Sequence, residues 1–194
     1  MCRKTNDGYY EFVGKCLIAM PGIQDCRFDR SVILICSHSK DGSMGFVLNH
    51  PVEKSAFRSI LQELKSYVDP IIKQKDIQIF RGGPVEQGRA FVLHSLDYSS
   101  INTATVGSIC GVTCTLDALK WLTNKKSHAR SFLAFGYAAW SSGQLEREIT
   151  ENYWLTVEAT SILVFDTPYS NRYNKALGML GVREATLSSI IGHA

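Results

Sequence analysis

The segment from Gly136 to Glu146 holds the densest group of side chains that could bind a ligand or a partner. An apolar run ends at Tyr137 and Trp140, a Ser-Ser-Gly turn follows, and a helix is predicted from Gln144 with Glu146 in its first turn. N–H groups point outward where a helix begins, so strand-to-helix turns are common ligand positions. The alternative is an ordinary helix start, since an acidic side chain there stabilises a helix.

A second candidate is the turn Arg81-Gly82-Gly83-Pro84. Its guanidinium and backbone N–H groups could hold an anion. The turn lacks the Lys and Ser/Thr of a phosphate-binding loop, so a simple connection between strands is the alternative.

His94 ends an alternating strand and is a candidate for acid–base chemistry. It cannot activate Ser95, because neighbours on a strand point to opposite faces. The alternative is a hydrogen-bonded histidine of the core or sheet edge. If Arg81, His94 and Trp140 converge with Gln144 and Glu146, they form a small-molecule pocket, and the chain is a ligand-binding protein or an enzyme of unrecognised type.

A basic patch is predicted between Ala118 and Leu145, where four cations occur without a carboxylate: Lys120, Lys125, Lys126 and Arg130. Such a patch could face nucleic acid. Lys125 and Lys126 could equally complement the dipole at a helix C-terminus. No interleaved aromatic residues suggest base stacking, so nucleic acid is the less favoured partner.

The six cysteines predict structural thiols rather than a metal or disulfide framework, because no C-x-x-C pair occurs. Cys36 and His38 are two apart on a predicted strand and would share one face, but two ligands do not make a site. We therefore predict no metal site, no cofactor and no catalytic residue.

Strands and helices are intermixed along the chain. Strands are predicted at the ranges 16–20, 31–37, 44–48, 77–80, 90–94, 108–112, 131–137, 154–157 and 162–165. Helices are predicted over 57–68, from Thr115 to Leu122, over 144–152, and after Pro168, with Gly181 ending the last. The strand before Arg81 and the strand ending at His94 are predicted to pair like a hairpin. Two hairpins exclude a purely parallel sheet.

The 194 residues predict one domain, 1–194, with residues 1–11 loosely ordered. The net charge of +3 is too small to indicate nucleic acid by itself. The longest apolar run has nine residues, Phe132 to Trp140, against about 20 for a membrane helix. We therefore expect a cytoplasmic protein without a membrane partner.

Several motifs follow one another in a characteristic order. They are Leu17-Ile18-Ala19-Met20-Pro21-Gly22, Gly82-Gly83-Pro84-Val85, Leu93-His94-Ser95, Gly136-Tyr137-Ala138 with Trp140, Gly143-Gln144-Leu145-Glu146, Trp154-Leu155 and Phe165-Asp166-Thr167-Pro168. From about residue 12 to 194 the chain resembles the AlgH/YqgE family of small bacterial cytosolic proteins.

That resemblance implies an α+β fold with a mixed, largely antiparallel sheet partly closed into a barrel and helices packed outside. It carries over no activity or catalytic residue, although members have been described as transcriptional regulators. In the family an Arg commonly precedes the proline at position 51, but this chain has His50 there. The missing Arg weakens the argument for an anion-binding site in that loop. Ala139 replaces a usual Gly, so position 139 does not need a positive φ. The expected function is a non-enzymatic regulator or adaptor with a protein partner, anchored around Trp140.

Overall fold

Nine strands form one sheet in the part of the chain that the computed structural model describes, residues 12–23, 25–53, 78–122, 130–185 and 187. The strands are β1 (Lys15–Ala19), β2 (Val32–Ser39), β3 (Gly42–Val47), β4 (Ile79–Arg81), β5 (Val85–His94), β6 (Thr103–Val106), β7 (Cys110–Thr113), β8 (Ser131–Ser141) and β9 (Trp154–Glu158). Their order across the sheet is β6-β7-β5-β8-β3-β2-β1-β9, with β4 also paired to β8. The predicted hairpin of β2 and β3 is confirmed.

β8 is the central strand of the sheet. Its first half lies between β4, which is parallel to it, and β5, which is antiparallel; its second half pairs with β3. The predicted hairpin of β4 with β5 is therefore wrong, because β8 is inserted between them. Gly136 lies where β8 changes partners, with φ of 69°. A Cβ there would lie 2.6 Å from the carbonyl oxygen of Gly83, so the two backbones need glycine to cross.

The sheet is strongly curled, so its two faces differ. One apolar cluster on the inner face collects side chains from all nine strands, whereas the outer face carries two separate clusters. Helices α1 (Leu116–Leu122) and α2 (Gln144–Thr150) cover the two outer clusters, as expected of helices outside a partial barrel. Helix α3 (Tyr169–Met179) packs its buried Tyr173, Ala176 and Leu177 against the inner face.

Arg172 on α3 brings a buried cation to the inner face. Its guanidinium donates hydrogen bonds to the carbonyl oxygens of Leu48 and Thr167, and lies 5.1 Å from the ring centre of Phe80. Burial lowers the pKa of Arg172 to about 10, so it stays charged at neutral pH. These contacts fasten α3 to the sheet.

Some predicted elements differ in the structure. The predicted strand 162–165 is instead a wide π-helical turn, Ile162–Asp166, in which the N–H of Thr167 donates to the carbonyl oxygen of Ile162. A short apolar run does not distinguish strand from helix. Strand β6 was not predicted. Gly181 ends α3 with φ of 71°, as predicted. The predicted helix 57–68 and residues 1–11 lie outside the described residues.

Candidate functional site

Two adjoining clefts lie on the outer face, between the cluster that α1 covers and the cluster that α2 covers. The first, the arginine cleft, has a volume of about 470 Å³. It is lined by Arg27, Phe28, Val47, His50, Val52, Arg81, Gly83, Pro84, Gln87, Gly88 and Phe135. The second, the tryptophan cleft, has a volume of about 440 Å³. It is lined by Ile23, Asp25, Arg27, Phe28, Pro84, Val85, Ala139, Trp140, Gln144, Glu148, Tyr153 and Trp154. Arg27, Phe28 and Pro84 belong to both.

The backbone around Arg81 is held by the sheet on two sides. The N–H of Arg81 donates to the carbonyl oxygen of His50 at 2.8 Å, and the N–H of Gly82 donates to that of Phe135 at 2.7 Å. The N–H groups of Arg81 and Gly82 are thus not available to an anion. The exposed guanidinium of Arg81 has no hydrogen-bond or ion-pair partner in the described part of the chain.

His50 lines the arginine cleft beside Arg81. Its Nε2 lies 3.2 Å from the carbonyl oxygen of Asp29, which only accepts, so Nε2 carries the proton and Nδ1 is the acceptor. Burial lowers the pKa of His50, and the nearby charge of Arg81 lowers it further. The side chain of Asn49 bonds the backbone of Val32 and Arg30 and so fixes this loop to β2.

The charge of the arginine cleft is positive. Its lining contains two guanidinium groups and no carboxylate. Arg27 is paired with Asp25 through contacts of 2.6 to 3.0 Å, which leaves Arg81 as the guanidinium available to an anionic group. Apolar walls of Phe28, Val52 and Phe135 would strengthen such a contact by excluding water.

Glu148 organises the tryptophan cleft. Its Oε2 accepts hydrogen bonds from the indole N–H groups of Trp140 and Trp154, each at 2.8 Å. Its Oε1 accepts one from the side-chain amide of Gln144, also at 2.8 Å, and Gln144 accepts one from the N–H of Ser141. A partly buried carboxylate thereby sets the positions of both indole rings, whose centres are 6.0 Å apart.

Trp140 and Gln144 therefore line the same cleft, but Glu146 points elsewhere. Its Oε1 lies 3.7 Å from Nε2 of His38, a buried atom without a hydrogen-bond partner. His38 also does not share a face with Cys36, contrary to our expectation. A bulge between Ile35 and Ser37 shifts the strand by one residue, so Cys36 contacts the inner cluster and His38 faces outward.

His94 lies away from both clefts and does not converge with Arg81 and Trp140. Strand β5 places His94 opposite Ser131, whereas Arg81 on β4 lies opposite Phe135. Ser131 and Phe135 are four residues apart, about 13 Å along β8, and β4 and β5 lie on opposite sides of that strand. His94 is fully buried, with Nδ1 2.9 Å from the carbonyl oxygen of Ser95 and Nε2 2.9 Å from the hydroxyl of Thr113. It is a hydrogen-bonded core histidine.

The described members of the basic patch contact carboxylates. Lys120 lies 3.7 Å from Asp117, and Arg130 lies 3.1 Å from Asp166. Lys125 and Lys126 lie outside the described residues.

The five described cysteines, Cys16, Cys26, Cys36, Cys110 and Cys114, are free thiols; Cys16 and Cys110 are buried and Cys36 is half-buried. Burial raises the pKa of Cys16 and Cys110 to about 12 and that of Cys36 well above its usual value. Within the described residues, no group of three or more His, Cys, Asp or Glu side chains could hold a metal ion.

Known proteins resemble this chain over nearly its whole length. A family model described as AlgH-like matches residues 16–185. The chain belongs to the AlgH-like family. A UPF0301 protein of Cereibacter sphaeroides is 44% identical over 182 residues, which cover 93% of this chain and 98% of that protein. A UPF0301 protein of Rhodospirillum rubrum is 41% identical over 191 residues, 98% of this chain and 97% of that protein.

Solved structures agree with the fold. The solution structure of AlgH from Pseudomonas aeruginosa superimposes with a TM-score of 0.75 at 33% identity, covering 99% of this chain and all of that one. A Corynebacterium diphtheriae protein, at 22% identity, 84% coverage of each chain and a TM-score of 0.61, shares the fold. The predicted family and its partly closed, mostly antiparallel sheet are thereby confirmed. In the described parts of this AlgH-like chain, no helix has the length and apolar character that crossing a bilayer requires.

Sequence reasoning missed several residues of the clefts in this AlgH-like protein. Glu148 was visible as the residue four positions after Gln144, a spacing that puts both on one helix face. Arg27 and Phe28 gave no signal, because only the fold brings the short 3₁₀ helix Cys26–Phe28 beside Pro84. Ala139 avoids a positive φ, as predicted.

Proposed function

We propose that this AlgH-like protein is a non-enzymatic, cytosolic regulator or adaptor, and that its arginine cleft binds an acidic segment of a partner protein. The observation that carries the proposal is Arg81, whose guanidinium is unpaired in the described residues and faces a cleft without carboxylate lining. An arginine in such a setting favours an anionic group. The description of related proteins as transcriptional regulators would fit a role through a protein partner.

The shape of the surface supports a segment of chain as the occupant. The two clefts adjoin, since Arg27, Phe28 and Pro84 line both. An extended peptide could contact both clefts at once, whereas one compact metabolite would occupy one of them. Trp140 is only 6% exposed, so we propose that it contributes the wall of the tryptophan cleft rather than a protruding anchor.

Neither His94 nor the thiols packed into the inner cluster are available as catalytic groups. Both ring nitrogens of His94 have partners. Cys16, Cys36 and Cys110 are neutral thiols at physiological pH, and the thiolate is the nucleophilic form.

A small-molecule binder is the second candidate, favoured by the volume of the arginine cleft, which lies within the roughly 300 to 1,000 Å³ typical of ligand sites. It predicts that an anionic metabolite raises the melting temperature. Nucleic-acid binding is the least favoured, because Lys120 and Arg130 already face carboxylates. It predicts affinity that falls steeply with salt.

The test compares three tagged proteins purified from the organism's own lysate after nuclease treatment: wild type, Arg81→Glu and Lys175→Glu. Lys175 is an exposed cation on α3 and lines neither cleft, so it controls for the change in net charge. We expect one near-stoichiometric protein partner with the wild type and Lys175→Glu, and its loss with Arg81→Glu. Replacing Asp and Glu in the partner's contact segment should weaken binding as well.

Two outcomes would contradict the proposal. A partner retained by Arg81→Glu would place the interface elsewhere. The absence of any protein partner, together with a thermal shift by an anionic metabolite that Arg81→Glu removes, would establish the small-molecule alternative instead.

A further inference from the structure

The tryptophan cleft holds a negative charge that nothing in the described residues neutralises. Glu148 is partly buried and accepts three hydrogen bonds, all from uncharged donors on Trp140, Trp154 and Gln144. No Lys or Arg in the described ranges lies within ion-pair distance of it. A partly buried carboxylate without a counter-charge attracts a cation that enters the cleft, because screening by water is reduced there.

The other charged groups of the cleft cancel each other. Asp25 and Arg27 form a bidentate pair, with Arg27 Nε 2.9 Å and Nη2 2.6 Å from the two carboxylate oxygens. The charge of Arg27 is thus neutralised by Asp25. The net charge that lines the cleft is that of Glu148.

Aromatic rings surround this carboxylate. Phe28 and Tyr153 are half-buried at the cleft wall, and the ring of Phe28 packs edge-on against Trp154 with centres 5.7 Å apart. The faces of aromatic rings attract cations, most strongly where water is excluded. A carboxylate beside aromatic rings in one cleft is an arrangement that can recognise organic cations.

We infer that the tryptophan cleft binds an organic cation, an ammonium or guanidinium group, between the carboxylate of Glu148 and the rings of Phe28 and Tyr153. The cation could belong to a small quaternary amine or to a Lys or Arg side chain of a bound protein segment. Since the arginine cleft adjoins this one, a segment with an acidic and a basic residue could occupy both.

The test uses the unmodified protein with choline and with 3,3-dimethylbutan-1-ol, its uncharged isostere. The readout is the NMR signal of the indole N–H groups, two of which bond Glu148; Trp121→Phe identifies the third. We expect choline to shift the two signals saturably, with at least about tenfold higher affinity than the alcohol. Acetyl-lysine and acetyl-arginine methylamides then show whether side chains bind better than the small quaternary amine.

Two variants on the same helix separate the charge from the fold. Glu148→Gln keeps the size of the side chain and should abolish the preference for choline. Glu146→Gln removes a carboxylate that faces His38 and should leave choline binding unchanged. Glu148→Gln counts as folded if both indole signals stay dispersed. If they do not, the inference is judged from the affinities of the wild type for choline and for its isostere.

Equal affinities for choline and the alcohol, or no indole shift with either, would overturn the inference and leave Glu148 with a structural role only. The choline titration reports on the tryptophan cleft alone, whereas the partner experiment varies Arg81 in the arginine cleft. Failure of the one is therefore distinguishable from failure of the other.

Discussion

Exchanging the side chains of Glu148 and Gln144 tests whether the hydrogen bonds of the tryptophan cleft, rather than the position of its negative charge, stabilise the fold. In Glu148→Gln the amide oxygen replaces Oε2 and still accepts from both indole N–H groups. The amide nitrogen then faces the amide nitrogen of Gln144, and two donors oppose each other. Gln144 cannot simply turn over, because its oxygen already accepts from Ser141.

The magnitude follows from these bonds. A hydrogen bond to a charged group contributes about 1.5 to 3 kcal/mol and a neutral one about 0.5 to 1.5 kcal/mol. Weakening two bonds by about 1 kcal/mol each and losing a third worth at least about 1.5 kcal/mol should lower the free energy of unfolding of Glu148→Gln by about 3 to 4 kcal/mol. Gln144→Glu alone places two carboxylates in contact and should also destabilise the fold.

The double variant Gln144→Glu/Glu148→Gln restores every donor–acceptor pair with the charge moved by one helical turn. We expect it to be more stable than the sum of the single changes predicts, with a coupling energy of about 1 to 3 kcal/mol. Urea unfolding followed by tryptophan fluorescence measures all four proteins, because Trp140 and Trp154 report on this site. Additive effects, or single variants within about 0.5 kcal/mol of the wild type, would refute the hydrogen-bond reasoning.

Two other predictions concern the crossing of strands and pH. Gly83→Ala should lower the free energy of unfolding by about 3 kcal/mol, because a Cβ would overlap the backbone of Tyr137. The control Gly178→Ala lies in open space on α3 and should be neutral or stabilise the protein by up to about 1 kcal/mol. Equal melting temperatures of the two variants would contradict this prediction. Burial lowers the pKa of both His94 and His50, so the unfolded chain binds more protons and stability should fall as pH drops below about 6.5, by at most about 1.4 kcal/mol per pH unit for each histidine. In urea unfolding at pH 5.5 and 7.5, His94→Gln should show a smaller loss than the wild type, and an unchanged loss would count against this assignment.

Local patterns in the sequence anticipated much of the fold. Alternating apolar residues marked β1, β2, β3, β5 and β8, since one face of each strand is buried whatever its neighbours are. The hairpin of β2 and β3 followed from its Lys-Asp-Gly turn. The motifs fixed the family, and through it the curled sheet. None of these required knowledge of distant contacts.

The same patterns misplaced residues wherever a distant element intervened. The pairing of β4 with β5 was wrong because β8, some forty residues later, lies between them. His38 and Cys36 separated because one bulge residue reversed the alternation of β2. Strand order and bulge position depend on which distant backbones pair, and local sequence patterns do not specify that pairing.

The amino-acid sequence by itself determined the family, the apolar faces of most strands, and the helix start that holds Trp140 and Gln144. Only the tertiary structure decided that Arg27, His50 and Arg81 share one cleft, that Glu148 rather than Glu146 organises the other, and that His94 belongs to the core. The reason is physical: periodicity fixes which side of an element is buried, whereas a cleft forms where separate elements meet, and their order and register follow from packing over the whole chain.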